Sequence, residues 1–170
     1  MKQPFGVILA GGQATRMGGG DKGLLRLGQQ SILAHVIERL SPQVSDLALN
    51  ANGDAKRFSD IDLSVLPDSI DGFAGPLAGV LAGLDWAAAH GADTIVTAAA
   101  DTPFFPGDLV PRLLLASEGM IHPLVLAATP DATRGRVRHP TFGLWPVALR
   151  DDLRRALDGG LRKVVMWTEQ

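Results

Sequence analysis

The residues best suited to chemistry in this chain are those that grip phosphate. The stretch Val7-Ile8-Leu9-Ala10-Gly11-Gly12-Gln13-Ala14-Thr15-Arg16-Met17-Gly18-Gly19-Gly20-Asp21-Lys22 runs from an apolar, β-prone segment into a glycine-dense loop that closes on a lysine. Glycine lets backbone N–H groups approach an anion closely, and successive N–H groups in such a turn form a concave anion site. Arg16 and Lys22 add a guanidinium fork and a compact point charge. Further along, Asn50, Asp68 and Asp101 each follow a short apolar run. Asp101 comes after six small or apolar residues and before Thr102-Pro103. A carboxylate at a buried strand end beside phosphates has Mg²⁺ as a natural partner; the alternative is a turn cap ahead of Pro103.

Two common phosphate loops do not fit these letters. A P-loop requires Gly-Lys followed by Ser or Thr. Here Asp21 separates Gly20 from Lys22, and Gly23 follows. Gly18, Gly20 and Gly23 match a dinucleotide fingerprint in spacing, but the first glycine lies nine residues past Leu9 and no acidic strand end follows at the required distance.

The elements that must carry these groups alternate between strand-like and helix-like, which predicts a single Rossmann-like α/β domain with a mainly parallel sheet and helices on both faces. Strands are expected at residues 5–10, 47–51, 63–66 and 94–100. In a parallel arrangement their carboxyl ends share one edge, so the glycine loop, Asn50, Asp68 and Asp101 converge. Ser31 is positioned to cap a helix with Ile32, Leu33, Val36, Ile37 and Leu40 on its apolar face. Pro76 opens a second helix and Gly91 stops it. A helix is expected over about 107–117, short strands at 125–128 and 141–144 around a turn-rich segment at 130–135, a helix from Pro146 to Leu157, and another over 161–168.

Composition narrows the function classes. The 170 residues suffice for one domain with a proper core, and 46% are hydrophobic. A net charge of −2 argues against a nucleic-acid surface. The chain contains no cysteine, which excludes disulfides and thiolate chemistry. No apolar run reaches the ~18 residues of a membrane span and no signal peptide precedes the first strand, so no membrane association and a cytoplasmic location are expected.

Leu9-Ala10-Gly11-Gly12, Arg16-Met17-Gly18 and Asp21-Lys22 resemble the signature of the molybdenum cofactor guanylyltransferases. Gly75-Pro76-Leu77-Ala78-Gly79, Asp101-Thr102-Pro103-Phe104 and His139-Pro140-Thr141 resemble that family's internal motifs in the same order. The resemblance implies transfer of GMP from GTP to molybdopterin-bound molybdenum, with release of pyrophosphate. It implies GTP contacts at Leu9, Ala10, Gly11, Gly12, Lys22, Asn50, Asp68 and Asp101, and Mg²⁺ at Asp101. Lys22, Asp101 and Arg16 are the candidate catalytic residues. Such a reaction needs positioning and charge neutralisation rather than a protein nucleophile. A cytidylyltransferase for the same cofactor, a sugar-phosphate nucleotidyltransferase and a non-catalytic nucleotide-binding protein are the alternatives. The implied partners are GTP, a molybdopterin-type acceptor, and molybdoenzyme chaperones or cofactor-insertion proteins; a monomer is expected. The family's Asn-x-Asn-Thr-Pro segment has no counterpart before Gln170, so intact nucleotide binding with impaired transfer is expected.

The remaining polar and aromatic residues carry weaker signals. His35 fits a helix surface, His90 a helix C-terminus and His122 a loop. His139 fits either an acceptor contact or a structural hydrogen bond. Arg134, Arg136 and Arg138 fit a solvated turn or the acceptor's phosphate. Trp86, Trp145 and Trp167 fit the core or a helix face.

Overall fold

The computed structural model describes residues 2–11, 21–72, 75–161 and 164–168. Gly12 and Arg16 lie outside the described residues. The main sheet is built from β1 (Phe5–Leu9), β4 (Leu47–Asn50), β5 (Ser64–Leu66), β6 (Thr94–Ala99), β7 (Val125–Asp131) and β8 (Gly135–Pro146). Their spatial order is β5-β4-β1-β6-β8-β7. The first four are mutually parallel, while β8 runs antiparallel to β6 and β7 antiparallel to β8. A separate two-stranded ribbon, β2 (Arg26–Leu27) with β3 (Gln30–Ser31), follows the Lys22 segment.

Period-two alternation along buried strands divides the interior into two layers. Ile8, Leu49, Val96 and Ala98 point to one side, where α1 (Ile32–Leu40) and α3 (Leu109–Ala116) pack. Val7, Ile95 and Trp145 point to the other, against α2 (Pro76–Ala89), α4 (Arg150–Asp158) and α5 (Val164–Thr168). Helices thus cover both faces, as the alternating pattern requires. The cap expected at Ser31 is formed: its Oγ accepts from the Ala34 N–H at 3.0 Å. Leu33, Val36 and Leu40 are fully buried beneath it. Buried Thr97 carries a polar bond through the second layer. Its Oγ1 accepts from the Trp145 indole N–H at 2.9 Å and from the Gly143 N–H at 3.3 Å. Trp145 and Trp167 stack at 6.1 Å, both in the core, and Trp86 packs on Phe5 at 4.9 Å.

Two expectations need correction. The short strands around a turn at 130–135 are one long hairpin, Val125–Asp131 with Gly135–Pro146. Pro130 and Arg136 are paired residues within it. Asp131 closes its tip by accepting from the Thr133 and Arg134 N–H groups. Those bonds, Arg134's first and then Thr133's, hold its carboxyl below the usual range. Pro146 ends β8 rather than opening a helix. A single 3₁₀ turn, Val147–Leu149, intervenes before α4 begins at Arg150. Among the described residues, no helix is long and apolar enough to cross a membrane.

Candidate active site

Backbone hydrogen bonds carry the parallel ladder past the strand ends. The Ala10 N–H donates to Asn50 O, Ala51 to Leu66 O and Ala100 to Leu9 O, at 2.8, 3.0 and 3.0 Å. The segments that leave β1, β4, β5 and β6 are therefore held side by side. Next to them opens a cavity of ≈ 320 Å³, lined by Leu9, Ala10, Gly11, Asp21, Lys22, Asn50, Gly75, Pro76, Asp101 and Thr141, among others. Its size falls within the range of small-molecule sites.

Gly75 enters α2 at φ +67°, a left-handed conformation that suits glycine, and Pro76 takes the first helical position. This turns the N-terminus of a 14-residue helix, with its partial positive charge, toward the cavity. Lys22 opens a 3₁₀ turn, Lys22–Leu24, and is exposed to the cavity. The turn is held close to the end of β6, since a Cβ added to Gly23 would lie 3.1 Å from Ala100 O.

Asn50 is 1% exposed, yet it lines the cavity. Its Nδ2 donates to Leu66 O at 3.1 Å and to Asp68 Oδ1 at 2.9 Å. Both partners are acceptors, which fixes the amide orientation and aims Oδ1 the other way. That oxygen is wedged between two glycines: a Cβ added to Gly79 would sit 2.2 Å from it, and one added to Gly11 2.9 Å. Gly79→Ala is expected to force Asn50 off its position. Affinity in calorimetry for a ligand that Asn50 Oδ1 contacts should fall about ten-fold or more, in line with the loss of one buried hydrogen bond. Unchanged affinity would mean that Asn50 is not a contact.

Asp68 does not line the cavity. It sits behind Asn50 and also accepts from Asn52 Nδ2 at 2.9 Å, while its own N–H donates to Asn52 Oδ1 at 2.8 Å. Asn52 is a residue that reading the sequence missed; the Asn50-Ala51-Asn52 repeat was its only trace. The expectation of a buried Asp101 is also corrected. The residue is exposed at the cavity wall rather than buried, and its Oδ1 accepts from the Thr102 hydroxyl at 3.2 Å. The strand ends one residue earlier than expected, at Ala99, so the carboxylate falls in the turn beyond.

The hairpin brings a further group to the cavity. Across from Leu126/Ala127, β8 passes from Gly143 to His139, so Pro140, Thr141 and Phe142 form an irregularity in the ladder. Pro140 lacks the N–H that a regular ladder uses. Thr141 lines the cavity from this irregularity. His139 Nε2 lies 2.8 Å from Thr129 Oγ1, which is the structural hydrogen bond among its two readings. His35 Nε2 pairs with Leu27 O, and His90 Nδ1 with Trp86 O at the end of α2.

A family model described as the MobA-like NTP transferase domain matches residues 6–170. The chain belongs to this family. It is 52% identical over 166 residues to a molybdenum cofactor guanylyltransferase of Bradyrhizobium sp. (strain ORS 278), covering 96% of this chain and 76% of that protein. Its fold matches molybdopterin-guanine dinucleotide biosynthesis protein A from Archaeoglobus fulgidus with a TM-score of 0.75 at 22% identity, over 97% of this chain and 78% of the other. It also matches 4-diphosphocytidyl-2C-methyl-D-erythritol synthase from Anaerococcus prevotii, with a TM-score of 0.72 at 14% identity over 96% and 78% of the two chains.

Among the described residues, no three His, Cys, Asp or Glu side chains gather to hold a metal. Asp101 shares the cavity wall with one other carboxylate, Asp21, which is ion-paired to Arg57. That fits Mg²⁺ better than a protein-caged ion, because Mg²⁺ commonly takes one or two carboxylates plus substrate phosphates and water.

Proposed function

We propose that this chain transfers GMP from GTP to a molybdopterin-type acceptor, forming the guanine dinucleotide cofactor and pyrophosphate. The observation that carries the reading is the convergence of Lys22, Asp101, Asn50 and the N-terminus of α2 on one cavity, in a member of the MobA-like family. Lys22 and the helix N-terminus would neutralise the triphosphate. Asp101 would hold Mg²⁺, which supplies charge stabilisation to the α-phosphate and the leaving pyrophosphate. A phosphate acceptor is already ionised, so no general base is required. Asn50 Oδ1 and loop carbonyls would accept from the N1–H and N2–H₂ donors of guanine. Thr141, which lines the cavity from the hairpin, would face the acceptor. The cytoplasm, where GTP is available, is the proposed compartment.

The test is paired. GTP and CTP titrations by calorimetry should differ by about ten-fold or more, because an unpaired buried polar group costs ~1–3 kcal/mol. Incubation with molybdopterin-bound molybdenum should then yield the guanine dinucleotide. Equal affinity for the two nucleotides would remove the guanine assignment.

A further inference from the structure

Arg57 occupies a place that neither the phosphate residues nor the base-side residues account for. It lies in a 3₁₀ turn, Ala55–Phe58, between β4 and β5. Its guanidinium donates in three directions. Nε reaches Asp21 Oδ2 at 2.5 Å, Nη1 reaches Asp54 O at 2.6 Å, and Nη2 reaches Asn52 O at 2.5 Å. Its Cζ also lies 4.4 Å from the centroid of the Phe58 ring, which is 2% exposed and lines the cavity. The ion pair with Asp21 is sheltered, with side-chain exposures of 29% and 18%.

The partners give this arrangement its meaning. Asp21 immediately precedes Lys22, the phosphate cation. Asn52 is bonded reciprocally to Asp68, and Asp68 holds Asn50. A continuous set of hydrogen bonds therefore runs from the Lys22 segment, through Arg57, to the group that orients Asn50 Oδ1. A planar fork can make these bonds at fixed relative angles; an ammonium cannot.

We propose that Arg57 is a positioning residue, a clasp that sets the distance between the phosphate-binding and base-binding ends of the cavity. The inference rests on the GTP reading of that cavity. A ligand spanning both ends gains from the fixed separation, because the ordering is done before it binds. A ligand that touches one end gains nothing from it.

The experiment uses the 170-residue chain and three probes: GTP, guanosine and tripolyphosphate. Arg57→Ala should weaken GTP about ten-fold while the affinities for guanosine and for tripolyphosphate each stay within about two-fold. Asp21→Asn should weaken GTP in the same way. The double variant should be little worse than either single one, because both break one linkage. Arg57→Lys, which keeps the charge without the fork, should recover only part of the loss. Thermal unfolding of each variant reports whether the fold is kept. Undiminished GTP binding in Arg57→Ala would overturn the clasp. So would an equal loss for all three probes, or additive losses in the double variant. A wild-type chain that binds no GTP would overturn the nucleotide reading itself, and the clasp with it.

Discussion

Asp101→Asn should reduce guanylyl transfer by about 100-fold or more, while GTP affinity measured without metal stays within about three-fold of wild type. A 100-fold loss corresponds to ~2.7 kcal/mol of transition-state stabilisation. The substitution keeps shape and removes only the charge that would hold Mg²⁺ against the reacting phosphates. It should be clean structurally. Asp101 is exposed, and its described side-chain bond is the one accepted from the Thr102 hydroxyl at 3.2 Å, which an amide oxygen can also accept. The melting temperature should therefore hardly move. Single-turnover rates across a Mg²⁺ titration, with GTP binding measured separately, give the check. Near-wild-type rates at saturating Mg²⁺ would show that Asp101 serves the turn before Pro103 and not the metal.

Lys22→Ala should behave differently, lowering affinity and rate together. An ammonium beside the triphosphate is used in the ground state and in the transition state, so both KM and kcat suffer. A loss of about 100-fold or more in kcat/KM is expected, with at least about ten-fold of it in GTP binding. The fold should tolerate the change, because Lys22 is exposed and has no ion-pair partner among the described residues. What holds its turn is the packing of Gly23 under Ala100 and the turn's own bonds from the Leu24 N–H to Asp21 O and from the Leu25 N–H to Lys22 O. Titration of GTP and of guanosine against both proteins checks this. Equal losses for GTP and guanosine would place Lys22 away from the phosphates.

The contrast between these two residues follows from how far each was legible. The place of Lys22 at the cavity was readable because glycines and a cation lie close together within one stretch that leaves the first strand. Asp101 was readable as a strand-end carboxylate, but not its exposure, since the exact end of a strand depends on which neighbour continues the ladder. The Ala100 N–H still donates to Leu9 O, yet Ala100 and Asp101 already turn away from the sheet. The hairpin was misjudged for a related reason. Pro130, Asp131, Gly135 and the nearby arginines have turn chemistry, but Val137 pairs with Thr129 and Ala127 with His139 across the ribbon. Pairing with a partner strand overrides local propensity.

Local pattern was enough to establish the α/β class, the parallel strands and the gathering of Gly11, Lys22, Asn50, Asp68 and Asp101 at one sheet edge. Alternation of side chains, helix caps such as Ser31 and glycine placement are short-range effects, and a parallel sheet puts all its strand ends on the same side as a matter of geometry. Only the tertiary structure decided how those residues are arranged. Asn50 lines the cavity, while the Asp68 carboxylate accepts from the Asn50 and Asn52 side chains beside it. Arg57, 36 residues from Asp21, joins the two halves of the site. Nothing in the letters near Arg57 marks it, since a hydrogen bond between distant segments is set by where the chain returns, and that is a property of the packed core rather than of any short run of residues.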